Sequence, residues 1–136
     1  MKILSLLMTI AILLSGCATG PYAIIDGSQS KITAKNSYDV IITGINGKMY
    51  FNGQKIKNID VGPHYVQLTS TKAGSRGDIS YQSWYFNAEP CKRYVVVANH
   101  DKDKQFSNNY WEVELLRVES IGGCKVSEDD KEESHE

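Results

Sequence analysis

Residues 38–51 read Tyr-Asp-Val-Ile-Ile-Thr-Gly-Ile-Asn-Gly-Lys-Met-Tyr-Phe, and this stretch decides the fold class. Its first eight residues are mostly apolar and rich in β-branched side chains, which favour a strand. Asn46-Gly47 follows, and because both residue types tolerate positive φ, this pair is the strongest short signal for a hairpin. Residues 48–51 then predict the return strand of that hairpin.

Further strands are predicted along the rest of the chain, with turn signals about every 8–12 residues between them. Residues 93–99 are rich in valine, which is typical of a central strand. The last predicted strand covers residues 110–118. It turns one set of side chains inward, namely Trp111, Val113 and Leu115, and another outward, namely Glu112 and Glu114. The pattern predicts an all-β chain, a sandwich or a small barrel, and we favour a single small β-sandwich of about seven strands.

The start of the chain has the order of an export signal. Lys2 precedes an apolar segment over residues 3–14, which is too short to span a membrane because a spanning helix needs about 20 apolar residues. Leu14-Ser15-Gly16-Cys17 then follows. We expect a signal peptide over residues 1–16, with cleavage as an ordinary secretory leader as the alternative reading.

Leu14-Ser15-Gly16-Cys17 resembles the bacterial lipobox, in which leucine and two small residues precede the lipidated cysteine. The resemblance implies that mature protein begins at Cys17, with a diacylglycerol on the thiol and an acyl chain such as palmitate on the amine. More than one chain makes anchoring stable. Ala18 follows where inner-membrane retention typically shows aspartate, so the resemblance implies the outer membrane of a Gram-negative cell envelope.

Composition divides the mature chain into three parts. Residues 17–37 are rich in small and polar residues and are expected to form a flexible lipidated tether, with packing of Tyr22 to Ile25 on the domain left open as an alternative. The β-sandwich domain is expected to follow over residues 38–125. Residues 126–136 hold six acids against one lysine, so we expect a disordered acidic tail that is either simply solvated or binds cations. Residues 18–125 carry 13 Lys/Arg and 10 Asp/Glu, too even a balance to predict nucleic-acid binding.

Cys91 and Cys124 are the cysteines left after Cys17. An extracytoplasmic location permits a disulfide, and two cysteines allow one connectivity. Closing a loop of this length should stabilise the fold by about 3–4 kcal/mol, and the alternative is two free thiols. His64, His100 and His135 stand at no ligand spacing from a cysteine, so neither a metal nor a cofactor is predicted.

Residues 42–68 resemble the PEGA-type surface domain. The likeness is carried by Ile45-Asn46-Gly47-Lys48 and, after a spacer, by Val61-Gly62-Pro63-His64-Tyr65-Val66-Gln67-Leu68. Such domains run strand, short turn, strand, Pro/Gly turn and strand. The resemblance implies a surface β-sandwich used for binding or for envelope structure, and it carries over no catalytic residue.

The search for catalytic motifs indicates a protein that is not an enzyme. There is no Gly-x-Ser-x-Gly motif, and Glu112 and Glu114 follow the period of a solvated strand face. Arg76-Gly77-Asp78 is interpreted as a turn in an exposed loop. His64 and His100 stand beside turns and are expected to be satisfied surface histidines.

Aromatic residues of the predicted strands, Tyr81 and Tyr110 among them, are the best candidates for a binding site. Trp84-Tyr85-Phe86 occupies both faces of one predicted strand, so at least one ring must point away from the core. Tyr85, Trp84 and Trp111 are therefore the candidate binding aromatics, able to stack on sugar rings or to contact a protein partner.

These observations predict a membrane-anchored envelope lipoprotein with a non-enzymatic binding or structural role, docking an unidentified protein partner. The membrane is contacted through the lipid on Cys17. The alternatives are an inhibitor of a host hydrolase such as lysozyme, or a module that binds a glycan such as peptidoglycan. An aromatic-rimmed groove would favour the alternatives, and a flat apolar patch would favour a protein partner.

Overall fold

The computed structural model describes residues 20–31, 36–72, 80–100 and 111–126. These residues form two β-sheets and contain no helix, so none of them belongs to a helix that could cross a membrane. The all-β prediction is confirmed. The signal segment, Cys17, the Arg76-Gly77-Asp78 loop and the acidic tail beyond residue 126 lie outside the described residues. The strands are β1 (Tyr22–Asp26), β2 (Ser37–Tyr38), β3 (Val40–Ile45), β4 (Lys48–Gln54), β5 (Ile56–Asp60), β6 (Gly62–Ser70), β7 (Tyr81–Ala88), β8 (Lys92–Asn99) and β9 (Glu112–Ser120).

The first sheet is built around β8. β9 pairs antiparallel along its whole length, whereas β1 and β2 pair with it at successive positions along the opposite edge. β1 runs parallel to β8 and antiparallel to β5, which forms the outer edge. The second sheet has the order β4-β3-β6-β7, and all of its pairs are antiparallel.

The strand β1 corrects the predicted domain boundary. We assigned residues 17–37 to a flexible tether, but Tyr22–Asp26 lies between β8 and β5 with Ala23 and Ile25 fully buried in the core. The sequence shows the apolar run Tyr22 to Ile25 between polar residues, which left its packing on the domain open. An inner strand covered on both faces is apolar throughout rather than alternating, so it lacks the period-two signal. The domain therefore begins well before residue 38.

The core lies between the two sheets, and β8 is its most deeply buried strand. Val95, Val96, Val97 and Ala98 are all fully buried, which confirms the central strand predicted from the valine-rich segment. The side chains that form the core cluster come from both sheets and are Ala23, Ile25, Val40, Ile42, Ile45, Ile59, Val66, Leu68, Ala88, Tyr94, Val96, Ala98 and Trp111.

The hairpin predicted at Asn46-Gly47 is confirmed and joins β3 to β4. Asn46 has φ 51° and Gly47 has φ 83°, the positive angles that a two-residue type I′ turn requires. Beyond the turn the pairing is irregular, since the register shifts between Ile42 and Gly44 on β3.

The inward side of β9 is only partly as predicted. Trp111 is fully buried and Val113 packs against the core, as expected. Leu115, also expected to point inward, is 46% exposed. The register with β8 shifts between Val95 and Val96, so one extra residue of β9 stands opposite this point. Such a bulge breaks the alternation of inward and outward side chains. No local pattern in the sequence predicts it.

The disulfide predicted between Cys91 and Cys124 is present, with the two Cα atoms 5.5 Å apart. It ties the start of β8 to the segment after β9. The amide of Cys91 donates to the carbonyl of Tyr22, and its carbonyl accepts from the amide of Ile121. The bridge therefore closes one end of the first sheet, where β1, β8 and β9 meet.

Candidate functional site

Three tyrosines lie on the outer surface of the second sheet. Tyr65 on β6 and Tyr81 and Tyr85 on β7 are 50%, 51% and 71% exposed. Tyr65 is paired directly with Tyr85, and Tyr81 stands opposite Thr69. The alternate residues of β6, Val66 and Leu68, are fully buried in the core. The period-two geometry of the strands therefore directs all three tyrosines to the same outer side.

The positions between these tyrosines are small or polar and uncharged. The outward residues of β6 and β7 are Pro63, Tyr65, Gln67, Thr69, Tyr81, Ser83, Tyr85 and Asn87. We call this set the tyrosine face. Within it the Tyr65 hydroxyl donates to Ser83 Oγ at 2.7 Å. That hydrogen bond joins the two strands on the outer side and orients one of the three rings.

The absence of charge from the tyrosine face contrasts with the outer side of β9. There the exposed or half-exposed side chains include Glu112, Glu114, Arg117 and Glu119. The outward side chains are thus charged on β9 and uncharged on β6 and β7. A charged surface is typical of a solvated strand, whereas tyrosine enrichment with depletion of charge is typical of a protein interface.

Met49 extends the tyrosine face onto β3 and β4. It is 59% exposed and lies opposite Gly44. A Cβ atom at Gly44 would stand 2.8 Å from the Met49 sulfur and 3.6 Å from Gln67 Oε1. Because glycine leaves this space open, the Met49 sulfur and the Gln67 side chain both lie close to Gly44 on the outer side of the sheet. The apolar surface is therefore wider than β6 and β7 alone.

The structure sorts the three predicted binding aromatics. Tyr85 points outward, which confirms that at least one ring of the aromatic strand leaves the core. Trp84 lies on the opposite side, stacked on Phe86 with the ring centroids 4.0 Å apart, and it packs against the core. Trp111 is fully buried and donates from Nε1 to Ser80 Oγ at 2.7 Å, so its ring is a structural group rather than a surface contact.

Tyr65 was missed as a site residue, whereas Tyr81 stood among the aromatic candidates but was not assigned to the site. Parity places Tyr81 with Tyr85, since residues 81 and 85 share one side of a regular strand. Tyr65 could be placed beside Tyr85 only with the β6–β7 register, which pairs residues 20 positions apart.

The two described histidines are satisfied but buried, which corrects the expected surface position. His64 and His100 are each 7% exposed. His100 Nε2 lies 2.7 Å from Ser70 Oγ, and the ring stacks with Trp111 and meets Tyr38 edge-on. Burial, with a further contribution from the Lys72 charge, lowers the pKa of His100 below its ordinary value.

A buried carboxylate, Asp26, lies at the end of β1. It accepts hydrogen bonds from Ser28, through both the amide and the hydroxyl, from Gln29 Nε2 and from Arg93 Nη1, the last at 2.8 Å. Burial acts to raise the pKa of Asp26, but these hydrogen bonds outweigh it and hold the pKa below its ordinary value. Every acceptor contact of this carboxylate is internal, which makes it a structural link between β1 and β8.

The described residues contain no group of three His, Cys, Asp or Glu side chains arranged to hold a metal ion. Glu112 and Glu114 are both exposed on β9, and Glu114 accepts from Asn99 Nδ2 at 3.0 Å. A shallow depression lies beside the start of β1 and is lined by Gly20, Pro21, Tyr22, Asn58 and Asp60. Tyr22 is the one aromatic in that lining.

No family model, curated protein or solved structure matches this chain. The geometry of the described residues is therefore the basis for any functional conclusion, and the tyrosine face is the surface that stands out.

Proposed function

We propose that this protein is a lipid-anchored lipoprotein of the cell envelope whose β-sandwich docks a protein partner through the tyrosine face. The observation that carries the proposal is the uncharged outer surface of β6 and β7, with Tyr65, Tyr81 and Tyr85 all at least half exposed. Nothing in this role requires a catalytic group.

The composition of the face favours a protein as the bound molecule. Tyrosine offers a large amphipathic contact area at low cost in side-chain entropy, and serine and asparagine add adaptable hydrogen bonds. Ser83 and Asn87 stand beside Tyr85 on β7, and Gln67 lies between the tyrosines on β6. The surface belongs to a regular antiparallel ladder, which presents these side chains as one continuous face. A continuous sheet face suits a protein partner better than a single sugar chain, which is usually held in a groove.

Two features support the proposed location. Leu14-Ser15-Gly16-Cys17 resembles the lipobox, which would place two or more acyl chains at Cys17. The disulfide between Cys91 and Cys124 is typical of a protein that folds in an oxidising compartment outside the cytoplasm. We place the domain on the outer membrane because Ala18 follows the cysteine.

The docking proposal is tested by crosslinking in intact envelopes followed by purification of the tagged chain. Tyr85→Lys and Tyr65→Lys each place a charge in the tyrosine face at an exposed position. Leu115→Lys is the matched control, since Leu115 is a similarly exposed apolar residue on the other sheet. We expect one stoichiometric envelope protein with the wild type and with Leu115→Lys, and its loss with both tyrosine variants. Equal recovery with all three variants would refute the tyrosine face as the docking surface.

The anchor is tested separately with Cys17→Ser. We expect this variant to leave the membrane fraction and to appear as soluble protein. Retention of the variant in washed membranes would contradict the lipobox interpretation, whatever the result of the docking experiment.

Exposed tyrosine rings also stack on sugars, so glycan binding is the second candidate. The same wild-type and Tyr85→Lys proteins, incubated with purified peptidoglycan and sedimented, distinguish the two. Co-sedimentation that Tyr85→Lys abolishes, without a protein partner in the crosslinking experiment, would favour the glycan. Inhibition of lysozyme by the wild type that Tyr85→Lys abolishes would favour the hydrolase inhibitor.

A further inference from the structure

Among the described residues, no second strand pairs with the outer edge of β7, and this edge lacks the usual protection. Exposed edges normally carry charges, prolines or bulges, because unpaired backbone groups can otherwise pair with another strand. Residues 81–88 read Tyr-Gln-Ser-Trp-Tyr-Phe-Asn-Ala and hold no charge and no proline. The ladder with β6 runs without a shift from the Gly62–Ala88 pair to the Thr69–Tyr81 pair. β7 is therefore a regular, uncharged edge of eight residues.

The other outer strands in the described part of the chain are short or protected, and β2 has only two residues. β4 begins with Lys48 and has an irregular register with β3. β5 contains Lys57 and ends at Asp60. β9 contains a bulge and alternating charges. Within the described residues β7 pairs with β6 alone, and β9 of the other sheet approaches it without pairing. This contrast indicates that β7 is the outer strand best suited to pair with a further strand.

The direction of the backbone groups on β7 follows from Tyr65. Its carbonyl accepts from the amide of Asn46, and its amide donates to Asn46 Oδ1, so both groups point toward β3. In an antiparallel ladder, a residue opposite such a position directs its own amide and carbonyl away from the shared side. Tyr85 is the residue opposite Tyr65. Tyr85, and with it Ser83 and Tyr81, therefore presents backbone donors and acceptors at the free edge.

These three residues are self-complementary in an antiparallel pairing. If Ser83 faces Ser83 of a second copy across a two-fold axis, Tyr81 of each chain stands opposite Tyr85 of the other. Residues that face each other in this register lie on the same side of the sheet, so the tyrosine faces of both copies become continuous. Aromatic pairs directly across two strands are among the stabilising cross-strand pairs.

We propose that this protein forms a two-fold symmetric homodimer in which β7 pairs antiparallel with β7 of a second copy, with Ser83 on the axis. The second sheets of the two copies then join into one continuous sheet. The tyrosine rows also join, because Tyr65 and Tyr85 of one chain are followed by Tyr81 of the other. An isologous contact of this kind closes on itself and does not propagate into a fibre, because each copy uses the same edge, that of β7, for the contact.

The register is tested by symmetric thiol crosslinking of the full chain in a Cys17→Ser background, so that the engineered thiol is the free one. In Ser83→Cys the two new thiols meet at the axis, since residues in a hydrogen-bonded antiparallel pair have Cα atoms about 5.5 Å apart. In Asn87→Cys, on the same side of the same strand, the two thiols lie about 27 Å apart, at about 3.4 Å per residue. A short bis-maleimide should link Ser83→Cys into a covalent dimer and leave Asn87→Cys monomeric. Equal crosslinking of both variants, or of neither, would overturn the register.

The association itself is tested by sedimentation equilibrium in the same Cys17→Ser background. Ser83→Lys places like charges opposite each other at the axis, whereas Asn87→Lys places the same charge at an exposed position away from it. We expect Ser83→Lys to weaken dimerisation about tenfold or more and Asn87→Lys to change it by less than about threefold. A chain that stays monomeric up to about 100 μM would overturn the proposal. A dissociation constant of that size corresponds to a binding free energy of only about −5.5 kcal/mol.

The dimer and the docking proposal fail independently. The dimer is measured on the purified protein without any partner. Tyr65 lies on β6, one strand away from the edge, so Tyr65→Lys tests docking without placing a charge between the two copies. Because Ser83 belongs to the tyrosine face as well as to the edge, Ser83→Lys is used for the dimer alone. A dimer that persists in Tyr65→Lys while the envelope partner is lost would show that the two contacts are separate.

Discussion

Asn46 Nδ2 lies 3.0 Å from Nδ1 of the buried His64, whose Nε2 lies 2.6 Å from the carbonyl oxygen of Asp60. The roles assigned by these partners are an accepting Nδ1 and a donating Nε2. Asn46 also exchanges hydrogen bonds with the backbone of Tyr65. The turn between β3 and β4 is thereby locked onto β6. The same contacts direct the Tyr65 backbone toward β3, which leaves the amide and carbonyl of Tyr85 at the free edge of β7.

Asn46 should therefore stabilise the fold through both its side chain and its backbone angle. Asn46→Gly keeps the positive φ and loses the side-chain bonds, including the one to buried His64, so we expect a loss of about 1–2 kcal/mol. Asn46→Ala should lose about 1 kcal/mol more, because alanine at this position must adopt a positive φ angle. Urea unfolding of the two variants beside the wild type measures both steps. Equal stability of Asn46→Gly and the wild type would show that the His64 contact contributes nothing.

Asp26 should contribute to stability at neutral pH and lose that contribution in acid. Its folded pKa lies below the ordinary value of 3.8, so the folded state binds its proton less readily than the unfolded state. The contribution is present above that ordinary value and disappears as the pH falls through the folded pKa. We expect Asp26→Asn to flatten the acid side of the pH–stability curve, measured by urea unfolding between pH 2 and pH 7.

The partner of Asp26 gives a matched comparison with a more exposed pair. Arg93 is one-third exposed and pairs with a carboxylate that is almost fully buried, whereas Lys55 and Asp39 form a pair at the surface. Arg93→Gln should cost about 2–3 kcal/mol, below the range for fully buried pairs because the arginine keeps contact with water. Lys55→Gln should cost about 1 kcal/mol or less. Equal losses for the two variants would contradict the assignment of Asp26 as a structural link.

His100 should destabilise the protein as the pH falls below neutrality. Burial and the Lys72 charge lower its folded pKa below 6.5, so the unfolded chain takes up the proton at a higher pH than the folded chain. Stability is therefore lost as the pH falls from about 6.5 through the folded pKa. NMR titration of the imidazole should give a pKa below 6.5, and Lys72→Met should raise it. A pKa at or above 6.5 in the wild type would contradict the burial of this ring.

Trp111 and Tyr85 should behave in opposite ways when they are replaced. Trp111→Ala removes a fully buried ring and its bond to Ser80, so we expect a loss of about 3–5 kcal/mol. Tyr85→Ala changes a side chain that is 71% exposed and should stay within about 0.5 kcal/mol of the wild type. Denaturant midpoints measure both changes. A large loss in Tyr85→Ala would mean that its ring supports the fold and is not a free contact surface.

Local patterns predicted part of the fold and one residue of the candidate site. The positive φ angles at Asn46-Gly47, the burial of the valine-rich β8 and the outward ring of Tyr85 each depend on a few neighbouring residues. The prediction that Leu115 points inward was wrong because the bulge in β9 is set by its pairing with β8. The strand β1 was assigned to the tether because a strand buried on both faces shows no alternation of apolar and polar residues. Tyr65 was missed because it becomes a neighbour of Tyr85 through strand pairing.

The sequence by itself determined the all-β class and the hairpin, and it predicted the disulfide between Cys91 and Cys124 on the premise that Cys17 carries lipid. These follow from residue types that restrict their own φ and ψ angles, or from a count of cysteines. Tertiary structure decided the parallel pairing of β1 with β8, the link from Asp26 to Arg93 across 67 positions, and the grouping of Tyr65, Tyr81 and Tyr85 on one face. Those relationships depend on register between distant strands. Register is chosen by burial of the whole core, which no short stretch of sequence encodes.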